Sequence, residues 1–266
     1  MKDFKDKVAV ITGAGGGVGS ALARELADRD CHLALVDISE AALAKTASAL
    51  AGTGVNISTH VTDITAKAQM EALPGAVIAE HGKVNILVNN AGITYQKSFA
   101  THTIEDWEKI TNINWWGVLY GCHYFLDALT EADGAHIVNL SSMSAFVGLP
   151  GQTSYCATKG AVKLLSEAMW AEMEKLDIGV TSVHPGAIKT EMIQATLQNS
   201  DDVEAATRNY ELAQRIGVTA EHVAQRIVRA IEKNQMRIRV GKDAVLLDIL
   251  KRWFPIGVQK LLRKVA

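Results

Sequence analysis

The sequence predicts an α/β fold, a doubly wound parallel sheet in a single domain. Short β-branched runs alternate with longer stretches of helical periodicity, as they do along chains that form parallel sheets. A chain of 266 residues, 48% of them hydrophobic, can bury one large core. Five glycines lie within residues 13–19, where the first apolar run meets the first helical pattern. Glycine destabilises a helix or strand interior by about 0.5–1 kcal/mol relative to alanine. We therefore infer that these glycines have a role other than core packing.

The apolar runs define six strands, and the periodic stretches between them define five helices. The strands are expected at residues 8–12, 32–36, 55–60, 84–89, 136–140 and 180–184. The helices are expected at residues 18–30, 40–50, 65–80, 104–129 and 153–176. Their strict alternation predicts parallel strands with helices on both faces of the sheet.

Two later segments do not follow this alternation. Residues 187–217 are polar with scattered apolar side chains, which favours a mobile substrate lid within a catalytic and cofactor-binding domain at 1–242. An ordinary surface excursion is the alternative. Residues 243–266 mix aliphatic and aromatic side chains with several cations, which predicts a basic amphipathic extension. It is expected to pack on the sheet or on another subunit, with membrane-surface contact and disorder as alternatives.

Composition excludes several classes of function. A formal net charge of -2 lacks the basic excess of nucleic-acid-binding proteins. Cys31, Cys122 and Cys156 are odd in number and widely spaced, which predicts reduced structural thiols and a cytoplasmic protein. The charged N-terminus does not resemble a signal peptide, and no apolar run has the roughly 18 residues of a membrane span. The histidines, His123, His136 and His184 among them, lack metal-site spacing, so we interpret them as structural and expect no metal.

The glycine cluster is best explained by a dinucleotide at the carboxyl edge of the sheet. Gly13 can form the tight turn, Gly17 lets the backbone approach a pyrophosphate, and Gly19 lets the helix pack close to the strand. A helix N-terminus at this position also attracts anions. The common G-x-G-x-x-G pattern is not met, because Val18 stands where its last glycine would be, and the spacing is G-x-x-x-G-x-G.

Asp37 ends the second predicted strand, about twenty residues after the glycines. A carboxylate at this place accepts hydrogen bonds from the adenosine ribose and repels a 2′-phosphate, so NAD is favoured over NADP. The alternative is that Asp37 caps the following helix, although Ser39 is also available for that role.

Five motifs occur together in one order along the chain: TGAGGGVG at 12–19, NNAG at 89–92, NLSS at 139–142, YCATK at 155–159 and HPG at 184–186. In this set the chain resembles the short-chain dehydrogenase/reductase family over nearly its whole length. The resemblance implies a Rossmann-type doubly wound parallel sheet of about seven strands, an NAD(P)-dependent oxidoreductase, and a homodimer or homotetramer.

The same resemblance implies a catalytic set of Asn114, Ser142, Tyr155 and Lys159. Tyr155 and Lys159 are four residues apart on a predicted helix and share one face. A phenol needs about 4 kcal/mol of differential stabilisation to act as a base near neutrality, which a neighbouring ammonium can supply by lowering its pKa. Ser142 would position the substrate oxygen, with Ser141 the lesser candidate, and Asn114 is preferred to Asn112 because Gly117 follows it at the family spacing.

A wider set of cofactor contacts is implied by the resemblance. The glycine loop and the ends of the second to fourth strands would hold the adenosine half, and the segment after the HPG motif would hold the nicotinamide amide. The residues concerned are Gly13, Gly15, Gly17, Val18, Gly19, Asp37, Ile38, Asp63, Ile64, Asn90, Ala91, Gly92, Tyr155, Lys159, Pro185, Gly186, Ile188 and Thr190.

The substrate site is expected to combine Ser142 and Tyr155 with Phe146 and Met192, and nearby aliphatic residues favour an apolar pocket. The predicted reaction is hydride transfer between NAD(H) and a secondary alcohol or ketone. Two alternatives are a non-catalytic NAD-binding regulator with the same fold and a sugar-nucleotide epimerase or dehydratase. The second would require a longer C-terminal substrate domain than this chain has.

Overall fold

A computed structural model describes residues 1–190, 197 and 200–265. Within this part of the chain, seven parallel strands form one sheet in the order β3-β2-β1-β4-β5-β6-β7. The strands are β1 Val8–Thr12, β2 His32–Asp37, β3 Ile57–Val61, β4 Ile86–Asn89, β5 Ala135–Leu140, β6 Ile178–Pro185 and β7 Arg237–Val240. The predicted doubly wound parallel sheet is confirmed.

The described helices lie on both faces of this sheet. The first seven are α1 Gly17–Ala27, α2 Glu40–Ala49, α3 Lys67–His81, α4 Ile104–Thr111, α5 Gly117–Tyr124, α6 Leu126–Thr130 and α7 Thr153–Met173. The last four are α8 Val203–Ile216, α9 Ala220–Glu232, α10 Lys242–Trp253 and α11 Pro255–Val265. None of them is both long enough and apolar enough to cross a lipid bilayer.

Two hydrophobic clusters form the core, one on each face of the sheet. Successive residues of a strand point to opposite faces, so Ile11 packs in the cluster under α1 and α9, whereas Val10 packs in the cluster under α3 and α5. Phe125, which follows α5, is completely buried in the second cluster. The continuous apolar runs of the strands therefore reflect burial on both faces.

The predicted helix at 104–129 is wrong in one respect, because the chain forms three helices and a π-helical turn in this region. The turn covers Asn112–Trp116 and separates α4 from α5. A π-turn adds a residue to the helical repeat without a distinctive sequence pattern, and such turns are frequent at functional sites. β7 is absent from the six predicted strands, because it has only four residues and lies half-buried at the edge of the sheet.

The three cysteines are free thiols, as expected. Cys31 and Cys122 are buried, and burial raises the pKa of both thiols to about 12. Cys156 is half-buried, and burial raises its pKa as well. Thiols with raised pKa values are poor nucleophiles near neutral pH, so these side chains pack as small apolar groups.

We expect the protein to lose folding stability in mild acid because two of its histidines are buried. Burial lowers the pKa of His136 to about 3 and that of His184 to about 4. The unfolded chain binds these protons near pH 6.5, so the free energy of unfolding falls as the pH drops from about 6.5 to about 4. His184 alone contributes a loss of about 3 kcal/mol by pH 4. Urea denaturation at pH 7, 5.5 and 4.5 measures this dependence.

His184→Gln is expected to make the fall in stability with pH less steep, because the variant has no imidazole to protonate at that buried position, and the contribution of His136 remains. His222→Gln is the matched control, since His222 is exposed on α9. If the His184→Gln variant loses stability with falling pH as steeply as the wild type, the assignment of this acid sensitivity to His184 is wrong.

Candidate functional site

The candidate site lies at the carboxyl edge of the sheet, where the strand order reverses. β1 lies beside both β2 and β4, so the loops that follow β1 and β4 leave in opposite directions and open a crevice. Open α/β sheets bind ligands at such a switch point. The glycine cluster follows β1, and the NNAG motif overlaps the end of β4.

The glycine loop ends in an exposed helix N-terminus. α1 begins at Gly17 after the N-cap residue Gly16, and no side chain of the described residues caps it. Gly13 and Gly17 have φ angles of 65° and 47°, which favour glycine. A Cβ atom at Gly19 would overlap the carbonyl oxygen of Gly13. The loop therefore brings α1 close to β1 and presents backbone N–H groups suited to an anion.

Asp37 lies at the end of β2 and holds the glycine loop. Its Oδ2 accepts a hydrogen bond from the Gly15 N–H at 2.9 Å, and its Oδ1 accepts one from the Ser39 N–H at 3.0 Å. Ser39, and not Asp37, caps α2, because its hydroxyl accepts from the Ala42 N–H. Ile38 is 68% exposed beside this carboxylate. The alternative interpretation of Asp37 as the cap of α2 is therefore wrong.

The NNAG segment is tied to the glycine loop through Thr12. Its Oγ1 accepts from the N–H groups of Asn90 and Ala91 at 3.0 and 3.1 Å. The Asn90 amide donates to the carbonyls of Thr12 and Gly13 at 2.9 and 3.1 Å. Both hydrogens of the Asn90 side-chain amide are thus donated to the backbone of the glycine loop. The predicted contact of Asn90 with the cofactor stays a prediction. The motif spacing did not identify Thr12 as the residue that joins the two loops.

Asp63 and Ile64 follow β3 at the same edge. The Asp63 Oδ1 accepts from the N–H and hydroxyl groups of Thr65 at 2.9 and 2.8 Å. Ile64 is buried, and a Cβ atom at Gly117 would collide with its side chain. Ile64 therefore supports the start of α5, while the adenine contact of Asp63 stays a prediction.

Asn114 is fixed by the π-turn. It is completely buried, its Oδ1 accepts from the Ile93 N–H at 2.8 Å, and its Nδ2 donates to the Ile93 carbonyl at 2.9 Å. Nδ2 also lies 3.3 Å from the Thr158 hydroxyl on α7. Asn112, the alternative candidate, is exposed. The structure thus brings Asn114 to the helix that carries Tyr155 and Lys159.

Lys159 extends from α7 into the same buried region. Its Nζ donates to the Leu140 carbonyl at 2.7 Å and lies 5.8 Å from the centre of the Tyr155 ring. A Cβ atom at Gly92 would lie 3.3 Å from Nζ and 3.1 Å from the Asn114 Oδ1, so these atoms share one small space. Burial lowers the pKa of the Lys159 ammonium to about 8. The ammonium is therefore poised to exchange protons near neutral pH.

Ser142 and Tyr155 complete the cluster. The Ser142 Oγ donates to the Ser144 Oγ and accepts from the Ser144 N–H, both at 3.2 Å. Ser141 instead donates its hydroxyl hydrogen to the Lys159 carbonyl. Burial raises the pKa of the Tyr155 phenol, and a hydrogen bond with the Ser142 side chain lowers it in part. The pKa of Tyr155 is therefore raised by burial and not lowered as expected from the neighbouring ammonium. The phenol in this arrangement is protonated at neutral pH.

Comparison with known proteins identifies the family. The family profile described as short chain dehydrogenase matches residues 7–201. The chain belongs to the short-chain dehydrogenase family. A Mycobacterium tuberculosis protein named as the oxidoreductase SadH is 36% identical over 265 residues, which are 98% of this chain and 95% of that protein. As a member of this family, the chain is an oxidoreductase that transfers hydride to or from a small-molecule substrate.

Solved structures agree with this assignment. A short-chain dehydrogenase/reductase from Burkholderia phymatum, in complex with NAD, has a TM-score of 0.86 and 31% identity, and the match covers 97% of both chains. Levodione reductase has a TM-score of 0.83 and 27% identity over 91% of this chain and 99% of its own. These similarities confirm the fold.

The segment that follows the HPG motif and β6 approaches the glycine loop at Thr190. The Thr190 methyl carbon lies 3.3 Å from the place of a Cβ atom at Gly17. The Ala187 N–H donates to the Asp243 Oδ2 at 2.7 Å, and a side chain at Gly186 would overlap that carboxylate. Pro185 is the last residue of β6, and Ile188 forms a parallel bridge with Val218. Asp243, which sequence reasoning missed, fixes the start of this segment.

Phe146 and Met192 are the remaining residues that were predicted to contact the substrate. The Phe146 ring stacks on His184 with 4.5 Å between ring centres and lies 5.6 Å from the Arg237 guanidinium. His184 in turn hydrogen-bonds the Ser142 carbonyl at 3.0 Å. Phe146 therefore supports the loop that carries Ser142, and its contact with substrate stays a prediction. Met192 lies outside the described residues, as do residues 191, 193–196, 198 and 199 of the predicted lid. The rest of the predicted lid is described, and α8 falls within it.

Proposed function

We propose that this dehydrogenase oxidises apolar secondary alcohols with NAD and reduces the corresponding ketones in the reverse direction. The observation that carries the proposal is the convergence of Asn114 and Lys159 beside Gly92, with the Lys159 Nζ 5.8 Å from the centre of the Tyr155 ring, at the edge of the dinucleotide crevice. A regulator that only bound NAD would not need this buried polar cluster. The cluster therefore supports catalysis over the regulatory alternative.

The crevice fits a dinucleotide on physical grounds. The uncapped N-terminus of α1 suits the pyrophosphate, and the glycine loop leaves the space that side chains would fill. Asp37 supplies a negative charge at the end of the crevice that would hold the adenosine ribose. Gly15, which donates to this carboxylate, and Ile38, which follows it in the chain, carry no cation for a 2′-phosphate, which supports NAD over NADP.

The four catalytic candidates have distinct roles in this proposal. The Ser142 hydroxyl turns its hydrogen from the Ser144 Oγ to the substrate oxygen and orients that oxygen. Tyr155 exchanges a proton with that oxygen at its Oη, and the Lys159 ammonium favours the phenolate form. Asn114 holds the backbone of Ile93 and so keeps the space beside Lys159 open. When bound, NAD supplies the hydride acceptor and a positively charged ring.

The predicted homodimer or homotetramer is also part of the proposal. On the π-turn, Trp115 is half-buried against the core, whereas the adjacent Trp116 is 41% exposed. Leu164 and Trp170 on α7 are exposed as well. Large exposed apolar side chains on the π-turn and on α7 support a neighbouring subunit at this face.

Wild-type enzyme assayed with a panel of secondary alcohols is expected to show a kcat/KM about 100-fold higher with NAD than with NADP. The 2′-phosphate would meet the Asp37 carboxylate without a compensating cation, and a hundredfold preference corresponds to about 2.7 kcal/mol. Asp37→Ala is expected to reduce the preference at least tenfold. The absorbance of the reduced nicotinamide, which both cofactors share, measures the rate.

Glu40→Ala is the control for the general effect of charge, because it removes an exposed carboxylate at the start of α2, three residues after Asp37. Its NAD preference should match the wild type. Wild-type enzyme that prefers NADP would contradict the role given to Asp37. Failure to oxidise any alcohol with either cofactor would contradict the proposed reaction.

A further inference from the structure

The C-terminal helix pair, α10 and α11, presents large apolar side chains to solvent. Trp253, Phe254 and Ile256, at the corner between the helices, are 76%, 63% and 68% exposed. Leu246 and Ile249 are also exposed. Leu246, Ile249 and Trp253 follow one another at intervals of three and then four residues, which puts them on one stripe of α10. Leu261 adds a further exposed apolar side chain on α11. A monomeric protein rarely exposes so many large apolar groups together.

The opposite faces of these helices contact the rest of the fold. Asp248 is 3% exposed, and its carboxylate accepts hydrogen bonds from Arg239 on β7 and from Arg252 at 2.8 and 3.0 Å. On α11, Val258 is buried and the Gln259 Nε2 donates to the Gly148 carbonyl at 3.1 Å. These contacts decide which side of each helix faces outward. The apolar stripe is therefore a fixed feature of the surface.

The charged side chains on this surface are mostly positive. Residues 242–265 contain six cations and two carboxylates. Both carboxylates are used internally, Asp248 by the two arginines and Asp243 by the Ala187 N–H. Lys260, Arg263 and Lys264 are exposed on α11. The surface thus combines aromatic and aliphatic groups with a net positive charge.

This combination fits an anionic lipid surface better than a second copy of the chain. A two-fold symmetric interface places the same patch on both sides, so the cations of one copy would face those of the other. An anionic bilayer neutralises them instead, while Trp and Phe side chains insert at the level of the headgroups. Lysine and arginine can keep their charged ends at the interface as the apolar face enters it.

We propose that α10 and α11 form a docking surface for anionic lipid bilayers, with Trp253, Phe254 and Ile256 inserted and the α11 cations at the headgroups. The protein binds in the plane of the interface without spanning the membrane. Each cation near an anionic surface contributes about fivefold to the affinity. Three of them account for a change of about 100-fold.

The test is co-sedimentation of the full-length enzyme with vesicles. Binding is expected to vesicles of about 30% phosphatidylglycerol in phosphatidylcholine at about 0.1 M salt, and to weaken at about 0.5 M salt. Lys260→Gln/Arg263→Gln/Lys264→Gln should lower the affinity about 100-fold. Trp253→Ser/Phe254→Ser should abolish binding. The fluorescence of the wild type should shift to shorter wavelength with vesicles, and that of Trp253→Phe should not.

Lys2→Gln/Lys5→Gln/Lys83→Gln is the matched control, because it removes the same charge from exposed positions at the amino edge of the sheet. It should bind anionic vesicles like the wild type. The proposal is overturned if wild-type enzyme fails to bind these vesicles, or binds pure phosphatidylcholine equally well. It is also overturned if the control loses as much affinity as the α11 triple variant. A wild-type oligomer that dissociates in Trp253→Ser/Phe254→Ser, without vesicle binding, would identify a second copy as the occupant instead.

Discussion

Tyr155→Phe is expected to lower kcat for alcohol oxidation about 1000-fold and to leave the KM for NAD nearly unchanged. The substitution removes one hydroxyl that exchanges a proton with the substrate, and general acid–base groups contribute about 100- to 10,000-fold. The phenyl ring keeps its packing beside Lys159. Wild-type oxidation should accelerate as the pH rises, because burial keeps the phenol protonated at neutral pH. The variant should lose this acceleration. Initial rates between about pH 6 and 10 measure both effects.

Tyr120→Phe is the matched control, because Tyr120 is a half-buried tyrosine on α5 that stacks between Trp116 and Tyr124. Loss of its hydroxyl should leave kcat and the pH profile unchanged. A Tyr155→Phe enzyme with undiminished turnover, or with the wild-type pH profile at reduced rate, would remove Tyr155 from the proton transfer.

The pKa values of the buried cluster explain why the roles in it are coupled. Desolvation disfavours the charged forms of both residues, so it raises the pKa of Tyr155 and lowers that of Lys159. A phenolate and an ammonium formed together stabilise each other, whereas either formed alone carries the full cost of burial. The proton on Tyr155 and the charge on Lys159 are therefore expected to change together, as the pH profile would show.

The sequence could predict those features that depend on residues close to one another in the chain. Tyr155 and Lys159 share a face because they are four residues apart on one helix, and β1 follows directly from the apolar and β-branched run VAVIT at 8–12. The carboxyl edge of the sheet follows from the order of the elements. The glycine loop could be assigned to the N-terminus of α1 for the same reason, because it lies between a strand and a helix that are adjacent in the chain.

Features that depend on long-range contacts could not be predicted in this way. Asp243 reaches Ala187 across 56 residues, and Thr12 reaches Asn90 across 78. The π-turn at Asn112–Trp116 has no signal of its own in the sequence. Phe146 is apolar and follows Ser142, which favours a substrate contact, but its stacking partner His184 lies on another strand. In each case the tertiary fold selects the partner.

Gly19→Ala is expected to lower the free energy of unfolding by about 1–3 kcal/mol and to weaken NAD binding about 100-fold. Alanine favours a helix more than glycine does, so α1 by itself would gain about 1 kcal/mol. The added Cβ atom would, however, overlap the Gly13 carbonyl oxygen and approach the Asn90 amide. These two groups are hydrogen-bonded to each other, so α1 must move away from β1. A displacement of about 1 Å at the pyrophosphate site is enough to cost about 100-fold.

Gly75→Ala separates this packing effect from helix propensity. Gly75 also lies inside a helix, α3, but no atom of the described residues beyond that helix's own backbone lies within 4 Å of its place for a Cβ atom. The same substitution should therefore stabilise the protein by up to about 1 kcal/mol and leave NAD binding unchanged. Urea denaturation and titration of NAD binding by calorimetry give the two quantities for both variants. If Gly19→Ala behaved like Gly75→Ala, the close approach of α1 to β1 would not be what the glycine loop provides, and the dinucleotide crevice would need another explanation.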